Sequence, residues 1–182
     1  MTKQTRIKRS SRQRRVSQIV KRQGWQVHTP FTIWDTLAAS PTQPMPESER
    51  TNWLMQAHLA LEEMEKGADP HTSEWWSVAG AVNWMQALVE AGHLQDEQGL
   101  IADCHEALGR AGKRHLSKQR MGLDGEGMTA LRQLLQDMDL ALRELPHRVH
   151  IQAHIASAKR VAALVQGCKP QKGDMIVEVA SA

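Results

Sequence analysis

The side chains best suited to chemistry in this sequence are cations gathered at its start. Lys3, Arg6, Lys8, Arg9, Arg12, Arg14, Arg15, Lys21 and Arg22 lie within residues 1–24, and no Asp or Glu stands among them. Such a run neutralises phosphates and releases condensed counterions, so it predicts salt-sensitive contact with nucleic acid, DNA or RNA. With no aromatic residue before Gly24, the run offers no platform for stacking bases. A solubilising tail, or a cationic arm that meets an acidic protein, would have the same composition. A second group comprises Arg110, Lys113, Arg114, Lys118 and Arg120 with His115, and no acid intervenes from Ala107 to Leu123. It falls at a predicted helix end, where positive side chains complement the helix dipole. Its other possible use is a further set of phosphate contacts.

Histidine occurs nine times, and His147, His150 and His154 are spaced to share one helical face. Two of them could ligate a metal. No Cys pair or H-E-x-x-H accompanies them, however, and a further ligand from Asp103, Cys104 or His105 would need a tertiary contact. The expectation is hydrogen-bonded or solvent-facing histidines, with no metal and no cofactor. Arg110 precedes His115, and Arg148 precedes His154, at similar short spacing. Such a pair can move a 2′-hydroxyl proton and stabilise a phosphorane. The pattern resembles the Arg–His motif of the helical HEPN ribonucleases, although the polar residue that usually follows the Arg there is Ala111 or Val149 here. That resemblance implies RNA cleavage. The chain has no G-x-x-x-x-G-K-[ST] phosphate loop, no G-x-S-x-G elbow and no Cys-rich zinc pattern, and it is read as non-catalytic. Asp124-Gly-Glu-Gly127 lacks the ligand spacing of a calcium loop.

The elements that must position these groups read as helices. Tyr is absent and Phe occurs once, against nine Met and six Trp, with abundant Ala, Leu and Gln. A first helix opens after Pro46, with Glu47 and Glu49 in its first turn, and stops at Gly67. A second, capped by Thr72 or Ser73, carries Trp75, Val78, Ala79, Val82, Met85 and Val89 and ends at Gly92; it is predicted to be the most buried. A third begins near Gln95 and buries Leu100, Ile101, Cys104, Ala107 and Leu108. The basic, Gly-containing stretch then leads to a turn and cap at Asp124-Gly-Glu-Gly127. The fourth helix repeats Met128, Leu131, Leu135, Met138, Leu142 and Leu145 at alternating steps of three and four. After Pro146 a fifth places Ile151, Ile155, Ala158, Ala162 and Val165 together. The fold class is therefore all-α, a compact bundle of about five helices over residues 47–167. A disordered basic arm precedes it at 1–24, and an extended tail or short strand follows at 168–182.

Residues 25–46 are different. Trp25, Phe31, Ile33 and Trp34 precede Pro41, Pro44 and Pro46, and the prolines forbid a long helix. Burying such side chains stabilises by about 1.5–3 kcal/mol each, which favours a strap laid across the bundle. The alternative is an exposed protein-docking motif built on Trp25, Phe31 and Trp34.

Charge divides the chain in the same way. The net charge is +3, but nine of the 23 basic residues lie in residues 1–24; the other 14 face 20 acids, leaving that part at −6. A basic arm on a mildly acidic body suggests an acidic partner. Two cysteines, Cys104 and Cys168, make no disulfide framework, and no secretory h-region or stretch of roughly 18–20 apolar residues is present. The expected setting is cytoplasmic, away from membranes. Shared Met- and Leu-rich faces are compatible with a homodimer.

Several segments carry a resemblance: Trp76-Ser-Val-Ala-Gly-Ala-Val-Asn83, Leu88-Val-Glu-Ala-Gly92, His105-Glu-Ala-Leu108, and Gly122-Leu-Asp-Gly-Glu-Gly-Met128 leading into Leu131. With the basic arm, they resemble small helical proteins encoded on phages, plasmids and other mobile elements of proteobacteria, often labelled Fis-like regulators. The resemblance spans residues 75–145 and implies a mobile-element accessory protein. The chain departs from the label in lacking a clear helix-turn-helix pattern. Three functions remain open: a nucleic-acid-associated or regulatory binding protein, an inhibitor or adaptor of a host protein or ribonucleoprotein (for example an anti-CRISPR factor), and a helical ribonuclease.

Overall fold

The structure, a computed structural model, describes residues 31–66, 72–118 and 120–165. The basic arm, Trp25, Cys168 and the C-terminal tail lie outside the described residues, as do residues 67–71 and 119. Within them the protein is all-helical, with six helices and no strand: α1 (Ile33–Ala38), α2 (Glu47–Lys66), α3 (Thr72–Glu90), α4 (Leu100–Lys118), α5 (Gly125–Glu144) and α6 (His147–Val165). The sixth helix, beyond the five expected, is the short α1 inside the Pro-rich segment.

α3 is the hub and packs on α2, α4, α5 and α6. It can do so because apolar and small residues run all round it: Trp75, Val78, Ala79, Ala81, Val82, Trp84, Met85, Ala87 and Leu88 are buried. A helix apolar on every side needs covering on every side. Its indoles bind across the bundle, Trp75 Nε1–H donating to the Leu108 carbonyl at 3.0 Å and Trp84 Nε1–H to the His150 carbonyl at 3.2 Å. The helix stops in a glycine cap. Gly92 takes φ +77°, and His93 N–H reaches back to Leu88 O at 2.9 Å. Ser73 is a helical residue whose hydroxyl goes to Glu74 at 3.1 Å, so it is not the cap of α3.

Two boundaries differ from the sequence expectation. α4 begins at Leu100, not near Gln95, because Gly99 adopts φ +73° and the Asp96 carboxylate accepts the Leu100 and Ile101 N–H groups at 2.7 and 3.1 Å. That carboxylate satisfies donors a helix start leaves unpaired. α4 also runs straight through the basic stretch to Lys118, where a helix end and loop were expected after Leu108. Gly109 and Gly112 are buried there with Ala107 and Ala111, and small residues let α5 approach closely. A Cβ on Gly127 of α5 would stand 2.6 Å from Ala107 Cβ. Close packing thus outweighs the weak helix propensity of two glycines.

α5 follows its predicted stripe. Met128, Leu131, Leu134, Leu135, Met138, Ala141 and Leu142 are all buried, and Leu145 packs at the edge. α6 is oriented differently from the expectation. Ile151 is buried, but its companions are His150 and Ala153, while Ile155, Ala158 and Ala162 are only half-buried.

The segment before α2 is laid against α6, the strap arrangement. Pro44 bridges to Pro146, His147 N–H donates to Gln43 O at 2.8 Å, and Arg148 N–H to Ser40 O at 3.1 Å. These bonds satisfy the first N–H groups of α6, with Ala39 and Met45 buried beneath.

Candidate nucleic-acid interface

The basic group on α4 is placed by the close α4–α5 contact. Arg110 points across to Asp124, the N-cap of α5, and binds it with two bonds, Nε to Oδ2 at 2.8 Å and Nη2 to Oδ1 at 3.1 Å. Arg114 Nη2 adds a third bond to Oδ2 at 3.2 Å. Arg110 also reaches Glu106 on its own helix at 3.0 Å. The carboxylate meanwhile accepts Gly127 N–H at 2.8 Å, so one side chain caps α5 and pairs two arginines. Hydrogen bonds from Arg110 and Gly127 hold the Asp124 carboxyl down to about 2, and the same pairing raises the Arg110 guanidinium further above its usual range.

The other three Lys and Arg side chains of the group face water. Lys113, Lys118 and Arg120 are exposed. Lys118 and Arg120 join Arg114, Met121, Gly122 and Leu123 around a concavity of about 260 Å³ at the α4–α5 connection. Cationic side chains beside a glycine-containing connection are chemically suited to a phosphate. Arg110 and Arg114 serve the fold as well. Lys3, Arg6, Lys8, Arg9, Arg12, Arg14, Arg15, Lys21 and Arg22 lie outside the described residues.

Both arginines of the Arg–His pairs are engaged elsewhere. Arg148 sits at the C-terminal end of α1, donating to Ala39 O from Nε at 3.2 Å and from Nη2 at 3.1 Å, and to Leu37 O at 3.4 Å. A cation at exposed terminal carbonyls is favourable, and it fastens the strap. His154 lies edge-on to both Phe31 and Trp53, each 5.3 Å away between ring centres. Burial lowers its pKa. In the other pair Arg110 is held by Asp124, while His115 Nδ1 is buried without a hydrogen-bond partner.

The three histidines of α6 share one face, as their spacing predicted, and that face is turned inward. His150 is fully buried, stacks on Trp84 at 5.3 Å and places Nε2 3.1 Å from Leu145 O. The Nε2 must carry the proton to make that bond, and burial pushes the ring's pKa down to about 4. His147 Nε2 is 3.4 Å from Glu49 Oε1. Among the described residues no group of three or more His, Cys, Asp or Glu is arranged to hold a metal ion. Cys104 lies in the core, its thiol pushed up to about 12 chiefly by burial, and so is not a reactive nucleophile at neutral pH.

The Trp-rich segment divides between its two expected roles. Phe31 is half-buried against Trp53 and His154, but Trp34 is 75% exposed, with Ile33 at 70% and Leu37 at 61%. Leu37 drew no attention in the sequence, since only α1 brings it one turn from Ile33 and Trp34. Trp25 lies outside the described residues. No helix among the described residues is long and apolar enough to cross a membrane. Comparison with family models, curated proteins and solved structures finds no match for this chain.

Proposed function

We propose that this chain is a non-catalytic binding protein of a mobile genetic element, acting in the cytoplasm on nucleic acid. The observation that carries this reading is the concentration of nine cations and no acid in residues 1–24, set against a body of charge −6. The arm supplies phosphate contacts without sequence preference, and Lys113, Lys118 and Arg120 add a patch on the helical body. The body is a scaffold for those contacts, which raise association rate more than specificity.

The test is fluorescence anisotropy of labelled DNA and RNA across a salt series. Full-length protein is compared with a variant carrying Arg12→Gln, Arg14→Gln and Arg15→Gln. Binding should weaken as salt rises, and the variant's log–log salt slope should be shallower by about 0.9 per lost contact on duplex DNA. An unchanged slope, or no binding at low salt, would sink the reading.

A second reading is an inhibitor or adaptor of a host protein or ribonucleoprotein. The exposed Ile33, Trp34 and Leu37 favour it, because Trp is enriched at interface hot spots. Under that reading affinity for a protein target would depend on Trp34, and free nucleic acid would not compete.

A further inference from the structure

Helix α1 presents an aromatic ring to water on a fixed base. Trp34 and its neighbours Ile33 and Leu37 are the exposed apolar side chains of a helix only six residues long. Such a helix would fray alone, but this one is fastened at both ends. Thr32 and Asp35 form a capping box, with Thr32 N–H on Asp35 Oδ2 at 2.6 Å and Asp35 N–H on Thr32 Oγ1 at 3.4 Å. Arg148 holds the carbonyls at the other end. Phe31, just before the cap, is seated on Trp53 and His154. A side chain on so fixed a base loses little backbone freedom when a ligand covers it.

Charge and size indicate what covers it. Arg22, the last cation of the arm, precedes Phe31 by nine residues, a span of at most about 32 Å even when fully extended. A polyanion gripped by the arm is therefore held within reach of the indole, at high effective concentration. The helix is about 9 Å long. The face of so short a helix falls well below the roughly 800 Å² that each partner contributes to a stable protein interface. It is enough for two or three stacked bases at about 3.4 Å apiece. In a duplex those faces are already covered by neighbouring bases, whereas a single strand can turn them outward.

We propose that Trp34, flanked by Ile33 and Leu37, is a base-stacking platform, and that the protein's ligand class is single-stranded nucleic acid. This rests on the nucleic-acid reading above, and the experiment separates the two. Full-length protein, Trp34→Ala and Trp34→Phe are titrated against labelled oligo(dT), oligo(U) and a duplex of equal length, at several salt concentrations.

Trp34→Ala should weaken single-strand binding by about 5- to 100-fold, with the duplex changed by less than about twofold. Trp34→Phe should recover most of the loss. The salt slope should not move, because no phosphate contact is removed. Circular dichroism of the Ala variant should match the parent, since the side chain it deletes lies in water. Single-strand affinity unchanged by Trp34→Ala, with salt-sensitive binding intact, would overturn the platform, leave the nucleic-acid reading standing and turn this face over to a protein partner. Equal losses on single strand and duplex would also overturn it. No binding by the parent at low salt would overturn both.

Discussion

At the α4–α5 junction, Arg110 and Arg114 converge on one carboxylate, and the neighbouring helices approach until a glycine is needed at position 127. At the strap, a six-residue helix leaves Trp34, Ile33 and Leu37 in water although Phe31, Ala39 and Met45 beside them are tucked in. The first region draws charged side chains into the fold, and the second leaves apolar ones out of it. A side chain's chemistry does not decide its use; the group that the neighbouring element offers does. Asp124 meets two of the α4 cations, and among the described residues nothing covers Trp34 to the same degree. Composition taken alone would assign both regions the other way round.

The largest expected effect contrasts packing in the two regions. Leu131 lies on α5 beneath the junction and is fully buried, so Leu131→Ala should cost about 2–5 kcal/mol. Trp34→Ala removes a larger side chain from an exposed site and should change stability by no more than about 0.5 kcal/mol. Urea unfolding of both variants measures this. A loss of several kcal/mol from Trp34→Ala would mean that the strap is held by its indole, and the contrast would collapse.

Much of the architecture was legible because periodicity reports burial directly. The stripe from Met128 to Leu142 on α5 is buried as its spacing requires, and so is the α3 stripe from Trp75 to Met85, although Val89 at its end is only half-buried. The cap at Asp124 was legible for the same local reason. What was not legible depended on distant partners. No spacing rule says that Asp124 would reach fourteen residues back to Arg110, nor that Arg148 would turn from its histidine to the carbonyls of Leu37 and Ala39. The extent of α4 was hidden by Gly109 and Gly112, which read as breakers until the proximity of α5 gives them a purpose. On α6, the buried face combines His150 with Ile151 and Ala153, so a search for apolar residues alone chose the wrong rotation.

The next effect distinguishes the regions by pH. His150 lies on α6, the helix the strap is laid against, stacked on Trp84 of α3, neutral and fully buried, with a folded pKa near 4 against about 6.5 in the unfolded chain. Because the folded value is depressed, the unfolded chain takes up the proton first as pH falls. The protein should therefore lose stability progressively from about pH 6.5 to pH 4, by about 3 kcal/mol in all. His154, shifted in the same direction by burial, adds to the loss. Thermal melts across this range should show the decline, and His150→Phe, which keeps a ring on Trp84, should flatten it. A melting temperature independent of pH over that interval would show that His150 ionises freely and is not buried as described.

The smallest effect belongs to the junction and lies at lower pH. Asp124 has its folded pKa held near 2, below an unfolded value near 3.9, so its contribution is complete above pH 4 and is lost as pH falls towards 2. The pair is partly exposed, and water screens it, so the contribution should not exceed about 1 kcal/mol. Asp124→Asn tests it, because Asn still caps α5 but no longer pairs with Arg110 and Arg114. The difference in stability between variant and parent should be small at neutral pH and vanish near pH 2. The same substitution should release both arginines beside Lys118 and Arg120 and strengthen nucleic-acid binding by about two- to fivefold, with a steeper salt slope. Weaker binding, with the fold retained, would instead mean that Asp124 holds Arg110 and Arg114 in the orientation phosphates require. In that case the ion pair would be part of the interface, and the junction would resemble the strap in keeping a fixed base beneath the groups that meet the ligand.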